Sequence, residues 1–195
     1  MRNPGRGYRN EFRIIAGAWR RRKLHFPAVP DIRPSPDRVR TTLFNWLREY
    51  IPGAVCLDLF AGSGALGLEA LSRGAAGVVF VDRERQAADA IRAHLVMLGA
   101  QGGETVQADA LAWLKLTARP FDIVFLDPPF DADLFPPVCA ALEQGSWLKP
   151  RALIYMEYPV DRPPQLPANW ATLRESRAGR VGFRLLQPTP TEVSK

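Results

Sequence analysis

From residue 54 onward, short runs of apolar residues alternate with longer segments whose apolar residues recur every three or four positions. The runs at 54–59, 77–81, 105–108, 121–126 and 152–156 predict strands, and the segments at 65–73, 85–98, 110–117 and 134–144 predict helices. Near-continuous apolar strands that alternate with helices are typical of a parallel sheet covered on both faces. We therefore expect an α/β fold built from βαβ units.

The two ends of the chain depart from this alternation. Residues 12–26 predict a short hairpin with Gly17 near its turn, and a proline-rich connection at 27–36 follows. A helix capped by Ser35 or Asp37 is then predicted to run to about residue 50. Near the other end, 173–176 and 180–186 flank a turn at 177–179, which predicts an antiparallel hairpin added to the edge of the sheet.

The net charge of +6 is concentrated at the start of the chain. Residues 1–50 contain 12 Arg and Lys against 4 Asp and Glu, whereas the rest contains 14 against 16. A disordered basic tail is one explanation, but aromatic and aliphatic residues are interleaved with the charges between 12 and 47, and disordered tails are poor in such residues. We therefore predict a folded, polyanion-binding extension at 1–50 on a near-neutral domain at 51–195.

Other features narrow the class of protein. No apolar run reaches the roughly 18 residues of a membrane span, and no apolar segment of a signal peptide follows the basic start, so we expect a cytoplasmic protein. Cys56 and Cys139 show no metal-ligand spacing, and His25 and His94 are isolated. We expect two buried thiols, no metal site, and a chain that needs no partner copy, hence a monomer.

A glycine-rich loop follows the first predicted parallel strand. Gly62, Gly64 and Gly67 spell GxGxxG at the start of a helix, where glycine permits a tight turn and a close approach to a ligand. Asp82 ends the next predicted strand. Taken alone, this pattern fits a dinucleotide-binding protein about as well as a methyltransferase.

Four acids follow successive predicted strands and are expected along one rim of the sheet: Asp58, Asp82, Asp109 and Asp127. Asp82 suits the two hydroxyls of a ribose, Asp58 an ammonium group, and Asp109 an adenine amino group. Such a rim would repel a pyrophosphate, which favours S-adenosylmethionine as the cofactor. The alternative is that these are ordinary helix-capping or solvated aspartates.

The most specific motif is Asp127-Pro128-Pro129-Phe130, directly after a predicted apolar strand. Two prolines remove backbone donors and fix where Asp127 and the Pro128 carbonyl point. Together these two acceptors could orient an exocyclic amine for methyl transfer, and Phe130 could stack on an extruded base. Methylation at carbon C5 of a pyrimidine would need a nucleophilic cysteine, and neither Cys56 nor Cys139 is suitably placed, so nitrogen is the better target.

These motifs resemble those of class I S-adenosylmethionine-dependent amino-methyltransferases. The segment 14–24 (IIAGAWRRRKL), Arg33-Pro34 and the block 37–47 (DRVRTTLFNWL) are similar to the RsmD family, and the resemblance covers about residues 12–187. It implies a Rossmann-like class I fold, with a mostly parallel seven-stranded sheet, a C-terminal antiparallel hairpin and a small N-terminal hairpin and helix. It also implies methylation of guanine N2 in 16S ribosomal RNA, within an assembled small subunit.

The resemblance assigns residues to three roles. The catalytic residues are Asp127, Pro128, Pro129 and Phe130. The cofactor-binding residues are Asp58, Phe60, Ala61, Gly62, Ser63, Gly64, Gly67, Asp82, Arg83, Asp109 and Ala110. The residues along the RNA path are Arg13, Arg20, Arg22, Lys23, Arg33, Arg38 and Arg40.

Other functions stay open at this point. Adenine N6 in RNA or DNA is a second substrate for the same chemistry, because the Asp-Pro-Pro-aromatic motif also occurs in such enzymes. A third possibility is an RNA-binding assembly factor that keeps the fold without turnover. A nicotinamide-dependent dehydrogenase is the fourth, but its chemistry does not call for the motif at 127–130.

Overall fold

The computed structural model describes residues 10–27, 35–129 and 133–189. The strands are β1 (Glu11–Arg13), β2 (Lys23–His25), β3 (Val55–Asp58), β4 (Gly77–Asp82), β5 (Gly103–Gln107), β6 (Phe121–Leu126), β7 (Leu148–Pro159), β8 (Trp170–Ala178) and β9 (Val181–Pro188). The helices are α1 (Asp37–Trp46), α2 (Ala65–Ser72), α3 (Arg85–Leu98), α4 (Ala110–Trp113) and α5 (Phe135–Gln144).

Seven strands form the main sheet in the order β5-β4-β3-β6-β7-β9-β8. The pairs from β5 to β7 are parallel, whereas β9 pairs antiparallel with β7 and with β8. The predicted α/β architecture, with a mostly parallel seven-stranded sheet and a C-terminal antiparallel hairpin at its edge, is therefore confirmed.

Both faces of the sheet are covered, which explains why the central strands are apolar on both sides. On one face, α1, α2, α3 and the β1–β2 hairpin pack in a cluster that includes Phe44, Phe80 and Phe125. On the other face, α4 and α5 pack in a second cluster around Trp113 and Trp147.

The hairpin docks on the C-terminal end of α2 through a close backbone approach. Gly17 has φ 83°, and a Cβ built there would lie 1.8 Å from the Ser72 carbonyl oxygen, so only glycine fits. The N–H of Ala18 donates to that carbonyl at 2.7 Å, and the carboxylate of Glu69 accepts the N–H groups of Ile15 and Ala16 at 2.7 and 3.0 Å.

Several predicted bounds and caps were wrong. Helix α1 ends at Trp46 rather than near 50, because residues beyond Leu47 continue as separate hydrogen-bonded turns. Among the residues that the structure describes, no side chain caps its start: the Ser35 hydroxyl bonds to Glu157, and the Asp37 carboxylate pairs with Arg40. Helix α4 is shorter than predicted, and β7, β8 and β9 are longer because their ladders continue past the apolar runs.

Among the described residues, no helix combines the length and the apolar character needed to cross a membrane.

Candidate active site

The order of strands along the chain changes direction between β3 and β6, which makes this pair the switch point of the sheet. Ligands of open α/β sheets bind outside the carboxyl ends of the strands at such a point. Strand β3 ends at Asp58, and Asp127 follows directly after β6. The two acids therefore lie at the same edge, on neighbouring strands.

The loop after β3 is held in place by backbone hydrogen bonds to the end of β4. The N–H of Ala61 donates to the Val81 carbonyl at 2.9 Å, and the N–H of Gly62 donates to the Asp82 carboxylate at 2.7 Å. Gly62 and Gly64 have φ values of 51° and 77°, which side-chain-bearing residues rarely adopt. These hydrogen bonds fix the loop over the rim.

The remaining loop positions are tightly packed. A Cβ at Gly67 would lie 2.2 Å from the Phe80 ring, so this glycine allows α2 to approach β4 closely. Ala61 and Ser63 are buried, and Phe60 is half-buried against the second core cluster.

Asp58 is almost completely buried beneath the loop, with 2% of its surface exposed. Its carboxylate accepts the N–H of Gly67 at 3.0 Å, in the first turn of α2. Burial raises the pKa of Asp58 to about 7, and the neighbouring carboxylates of Asp82 and Glu157 add to the rise. A cationic group placed beside Asp58 would therefore gain a strong partner.

Asp82 is more accessible and is oriented by two backbone donors. One carboxylate oxygen accepts the N–H of Gly62, and the other accepts the N–H of Glu84 at 2.8 Å. Burial raises the pKa of Asp82, and these two hydrogen bonds oppose the rise. Each oxygen keeps lone pairs for a further donor, as a ribose hydroxyl would be. Arg83 is exposed and contacts Glu84 at 3.3 Å.

Asp109 caps α4: its side chain accepts the N–H of Ala112 at 2.9 Å, and the next residue, Ala110, is buried. The helix-capping interpretation of this acid thus has geometric support. Its contact with an adenine amino group stays a prediction.

Asp127 is half-buried, Pro128 is buried and Pro129 is exposed, whereas Phe130 lies outside the described residues. Burial raises the pKa of Asp127 well above its ordinary value, and the charges of Glu157 and Asp58 raise it further. Because the prolines have no N–H groups, the backbone here offers only carbonyl acceptors. A donor group such as an amine is the natural ligand of this position.

Three side chains near Asp127 were missed by the sequence-based prediction. The Ser35 hydroxyl lies 2.5 Å from a carboxylate oxygen of Glu157 and 3.5 Å from one of Asp127. The Tyr155 hydroxyl donates to the same Glu157 oxygen at 2.8 Å. A usable signal was present, since a charged residue stands in a strand that is otherwise apolar between 152 and 158, and buried acids are rare unless they are paired.

The site fits S-adenosylmethionine. Its acids suit an ammonium, a sulfonium and ribose hydroxyls, and the glycines after β3 let the loop turn tightly beside them. The chain matches, over residues 12–187, the family described as Conserved hypothetical protein 95. It is 46% identical over 188 residues to Ribosomal RNA small subunit methyltransferase D of Escherichia coli K12, covering 96% of this chain and 95% of that protein. The chain belongs to the RsmD family.

Further comparisons agree with this. The protein of the same name from Haemophilus influenzae is 44% identical over 183 residues, covering 92% of this chain and 95% of that protein. The solved structure of the Escherichia coli protein yhhF aligns with a TM-score of 0.85 at 47% identity, covering 93% of this chain and 99% of that one. The predicted family and fold are thereby confirmed, and S-adenosylmethionine is the methyl donor of this RsmD-family enzyme.

The seven basic residues predicted along the RNA path of this RsmD-family chain do not all lie at the surface. Five are exposed: Arg13, Arg20, Arg22, Lys23 and Arg38. Arg33 lies outside the described residues. Trp46, at the end of α1, packs on Phe183 with ring centroids 5.3 Å apart.

Arg40 was wrongly predicted to line the RNA path. Its side chain has no exposed surface. The guanidinium donates to the carbonyl of Ser35 at 3.2 Å, to the carbonyl of Arg13 at 2.9 Å and to the Asp37 carboxylate. It also lies 3.8 Å from the buried Glu69 carboxylate. Arg40 therefore ties the N-terminal segment to the scaffold, where a polyanion has no access.

Both thiols are buried and free. Burial raises the pKa of Cys56 and of Cys139 to about 12, which disfavours the nucleophilic thiolate. Among the described residues, no group of three or more His, Cys, Asp or Glu is placed to hold a metal ion.

Proposed function

We propose that this enzyme methylates the exocyclic N2 of a guanine in 16S ribosomal RNA. The observation that carries the proposal is the position of Asp127, which follows the buried strand β6 at the switch point and is continued by two prolines. The close relatives from Escherichia coli and Haemophilus influenzae are named as small-subunit ribosomal RNA methyltransferases. An assembled 30S particle, a cytoplasmic location and a monomeric enzyme are parts of the same proposal.

In this mechanism Asp127 and the Pro128 carbonyl accept the two N–H groups of the amine. These contacts orient the nitrogen lone pair, which is otherwise delocalised into the ring, toward the methyl carbon. They also stabilise the positive charge that develops on nitrogen during transfer. The methyl donor supplies an electrophilic carbon bound to a sulfonium. Phe130 is proposed, from the sequence, to stack on the extruded base.

The donor is proposed to lie between the glycine loop and the acids at the sheet edge. Asp58 would hold its ammonium directly or through water, Asp82 its ribose hydroxyls and Asp109 its adenine amino group. The supporting loop and flanking positions are Phe60, Ala61, Gly62, Ser63, Gly64, Gly67, Arg83 and Ala110.

The RNA is proposed to contact the extension at 1–50, while 51–195 carries the chemistry. Five exposed basic residues support this role: Arg13, Arg20, Arg22, Lys23 and Arg38. Such side chains bind phosphates, and their contribution to affinity weakens as salt rises. Arg33 belongs to this set by sequence alone.

The decisive test is Asp127→Ala, assayed by tritium transfer from labelled S-adenosylmethionine to undermethylated small subunits. We expect kcat to fall by about 10²–10³-fold, as when one group that stabilises transition-state charge is removed. Asp89→Ala, which removes an exposed aspartate of α3, is the matched control. Near-normal turnover of Asp127→Ala would refute the proposed role.

Mass analysis of digested nucleosides from the same reaction identifies which base is methylated and at which atom. N2-methylguanosine is the expected product. N6-methyladenosine would keep the chemistry and replace the substrate, and no product together with tight RNA binding would indicate an assembly factor.

A further inference from the structure

A second carboxyl group lies beside the proposed catalytic acid. Leu126 and Met156 are register partners in the parallel pair β6 and β7, so the residues that follow them, Asp127 and Glu157, are neighbours across the two strands. The hydroxyl of Ser35 reaches both carboxylates, at 2.5 Å from Glu157 and 3.5 Å from Asp127. The Ser35 hydroxyl has one proton to donate, so it lies between the two acids and donates to the nearer one, Glu157.

Glu157 has 2% of its surface exposed, and the charge on it is compensated from three elements. Ser35, before α1, and Tyr155, on β7, donate hydrogen bonds to it, and the guanidinium of Arg40 on α1 lowers its pKa against the effect of burial. Asp127 faces two like charges instead, Glu157 and Asp58, and its one side-chain hydrogen bond to a described residue is the long contact with Ser35. The negative charge of the pair is therefore better stabilised on Glu157.

We propose that Glu157 is a positioning residue that prepares Asp127 to take the proton released by the methylated amine. The inference rests on the proposed role of Asp127. The amine lone pair forms the new N–C bond while the C–S bond breaks and its electron pair returns to sulfur. The nitrogen then carries a positive charge and gives one proton to an Asp127 oxygen, keeping the electrons of the former N–H bond.

The negative charge on Glu157 disfavours a negative charge on the neighbouring Asp127 and so raises the pKa of Asp127. Asp127 is therefore a better proton acceptor. The same arrangement depends on how the N-terminal segment docks on the sheet, since Ser35 belongs to that segment and donates to Glu157 of β7 at 2.5 Å.

The test compares Glu157→Gln with Glu143→Gln. The amide oxygen that the first variant introduces can still accept from Ser35 and Tyr155, so this variant removes the charge and keeps the hydrogen bonds. Glu143 accepts from the Trp170 indole at 3.0 Å, and Glu143→Gln makes the same chemical change on α5. Two quantities are measured against pH: kcat/KM, and the carboxyl ¹³C shift of Asp127 in the free protein, assigned with Asp127→Asn.

In Glu157→Gln we expect Asp127 to titrate about one pH unit lower than in the unmodified enzyme, and the acid limb of kcat/KM to move with it. Glu143→Gln should match the unmodified enzyme in both quantities. Unchanged titration of Asp127 in a folded Glu157→Gln variant would overturn the proposal, while an inactive Asp127→Ala would still support the proposed function.

If Glu157→Gln does not fold, ¹³C titration of the unmodified protein tests the proposal instead. Coupled two-step ¹³C titrations of residues 127 and 157 support the proposal, because interacting acids titrate as a pair. Independent single-step curves, with Asp127 at the ordinary value of an aspartate, overturn it.

Discussion

Two carboxylates at the end of the sheet, those of Asp58 and Glu157, are buried, whereas most of the described basic residues of the N-terminal segment are exposed. Asp58 and Glu157 each have 2% of their surface exposed, and burial raises the pKa of both. Arg20, Arg22 and Arg38 face solvent. Both regions are rich in charged side chains. Their charges affect the free energy of folding differently, because those at the end of the sheet are buried and those of the N-terminal segment face water.

Buried charges must be compensated by fixed partners, so they hold a defined geometry and tune one another's proton affinity. Exposed charges are screened and contribute little to folding, which leaves them available for a polyanion. Arg40 is the exception that links the regions. It belongs to the basic segment by sequence and to the buried network by position.

Replacing Arg40 should cause the largest change in the free energy of unfolding. In Arg40→Met the buried carboxylate of Glu69 loses a neighbouring charge, and the carbonyls of Ser35 and Arg13 lose their donors. Breaking one side of a buried ionic network costs about 3–5 kcal/mol. Urea denaturation should therefore show that much loss in the free energy of unfolding.

Arg38→Met, on the exposed side of α1, is the control and should change the free energy of unfolding by less than about 0.5 kcal/mol. Equal values for the two variants would mean that Arg40 is not part of the scaffold.

Asp58→Asn should instead stabilise the folded protein. The pKa of Asp58 is about 7 in the folded protein against an ordinary 3.8, so the folded state holds this proton more tightly. Stability is consequently lost as pH rises from about 4 to about 7. At pH 8 the neutral amide should raise the free energy of unfolding by up to about 4 kcal/mol, the equivalent of a rise in pKa from 3.8 to about 7, and the gain should shrink to nothing as pH is lowered to about 4.

Calorimetry on the same variant should show weaker S-adenosylmethionine binding at pH 8, since the ammonium loses its carboxylate. A pH-independent difference in stability between Asp58→Asn and the unmodified protein would contradict the buried, raised state of this acid.

The sheet was predictable because its signals are local. Apolar runs of strand length and helical stripes located β6 and α3 at their observed bounds, and the glycine loop and the acid after each strand placed the site. The bounds of α1, α4 and β7 were not predictable, since hydrogen bonds to neighbouring elements decide them.

The site was predictable only where it follows strand ends. Asp58 and Asp127 could be placed because the carboxyl ends of parallel strands share one edge. Ser35 and Glu157 are 122 residues apart, and their contact depends on how α1 docks on the sheet. Arg40 was misassigned for the same reason: within a basic stretch, sequence alone does not distinguish an inward guanidinium from an outward one.

The smallest expected effect comes from one exposed arginine. Arg20→Gln should weaken RNA binding by about 1 kcal/mol and reduce the slope of log Kd against log salt by about one, the contribution of a single phosphate contact. Arg119→Gln is the matched control, because Arg119 is an exposed arginine outside the N-terminal segment and pairs with Glu104 at 2.8 Å. Filter binding across a salt series measures both the affinity and the slope. An equal slope for the two variants would mean that Arg20 does not contact RNA. The chemistry proposed for the buried acids would not be affected by that result.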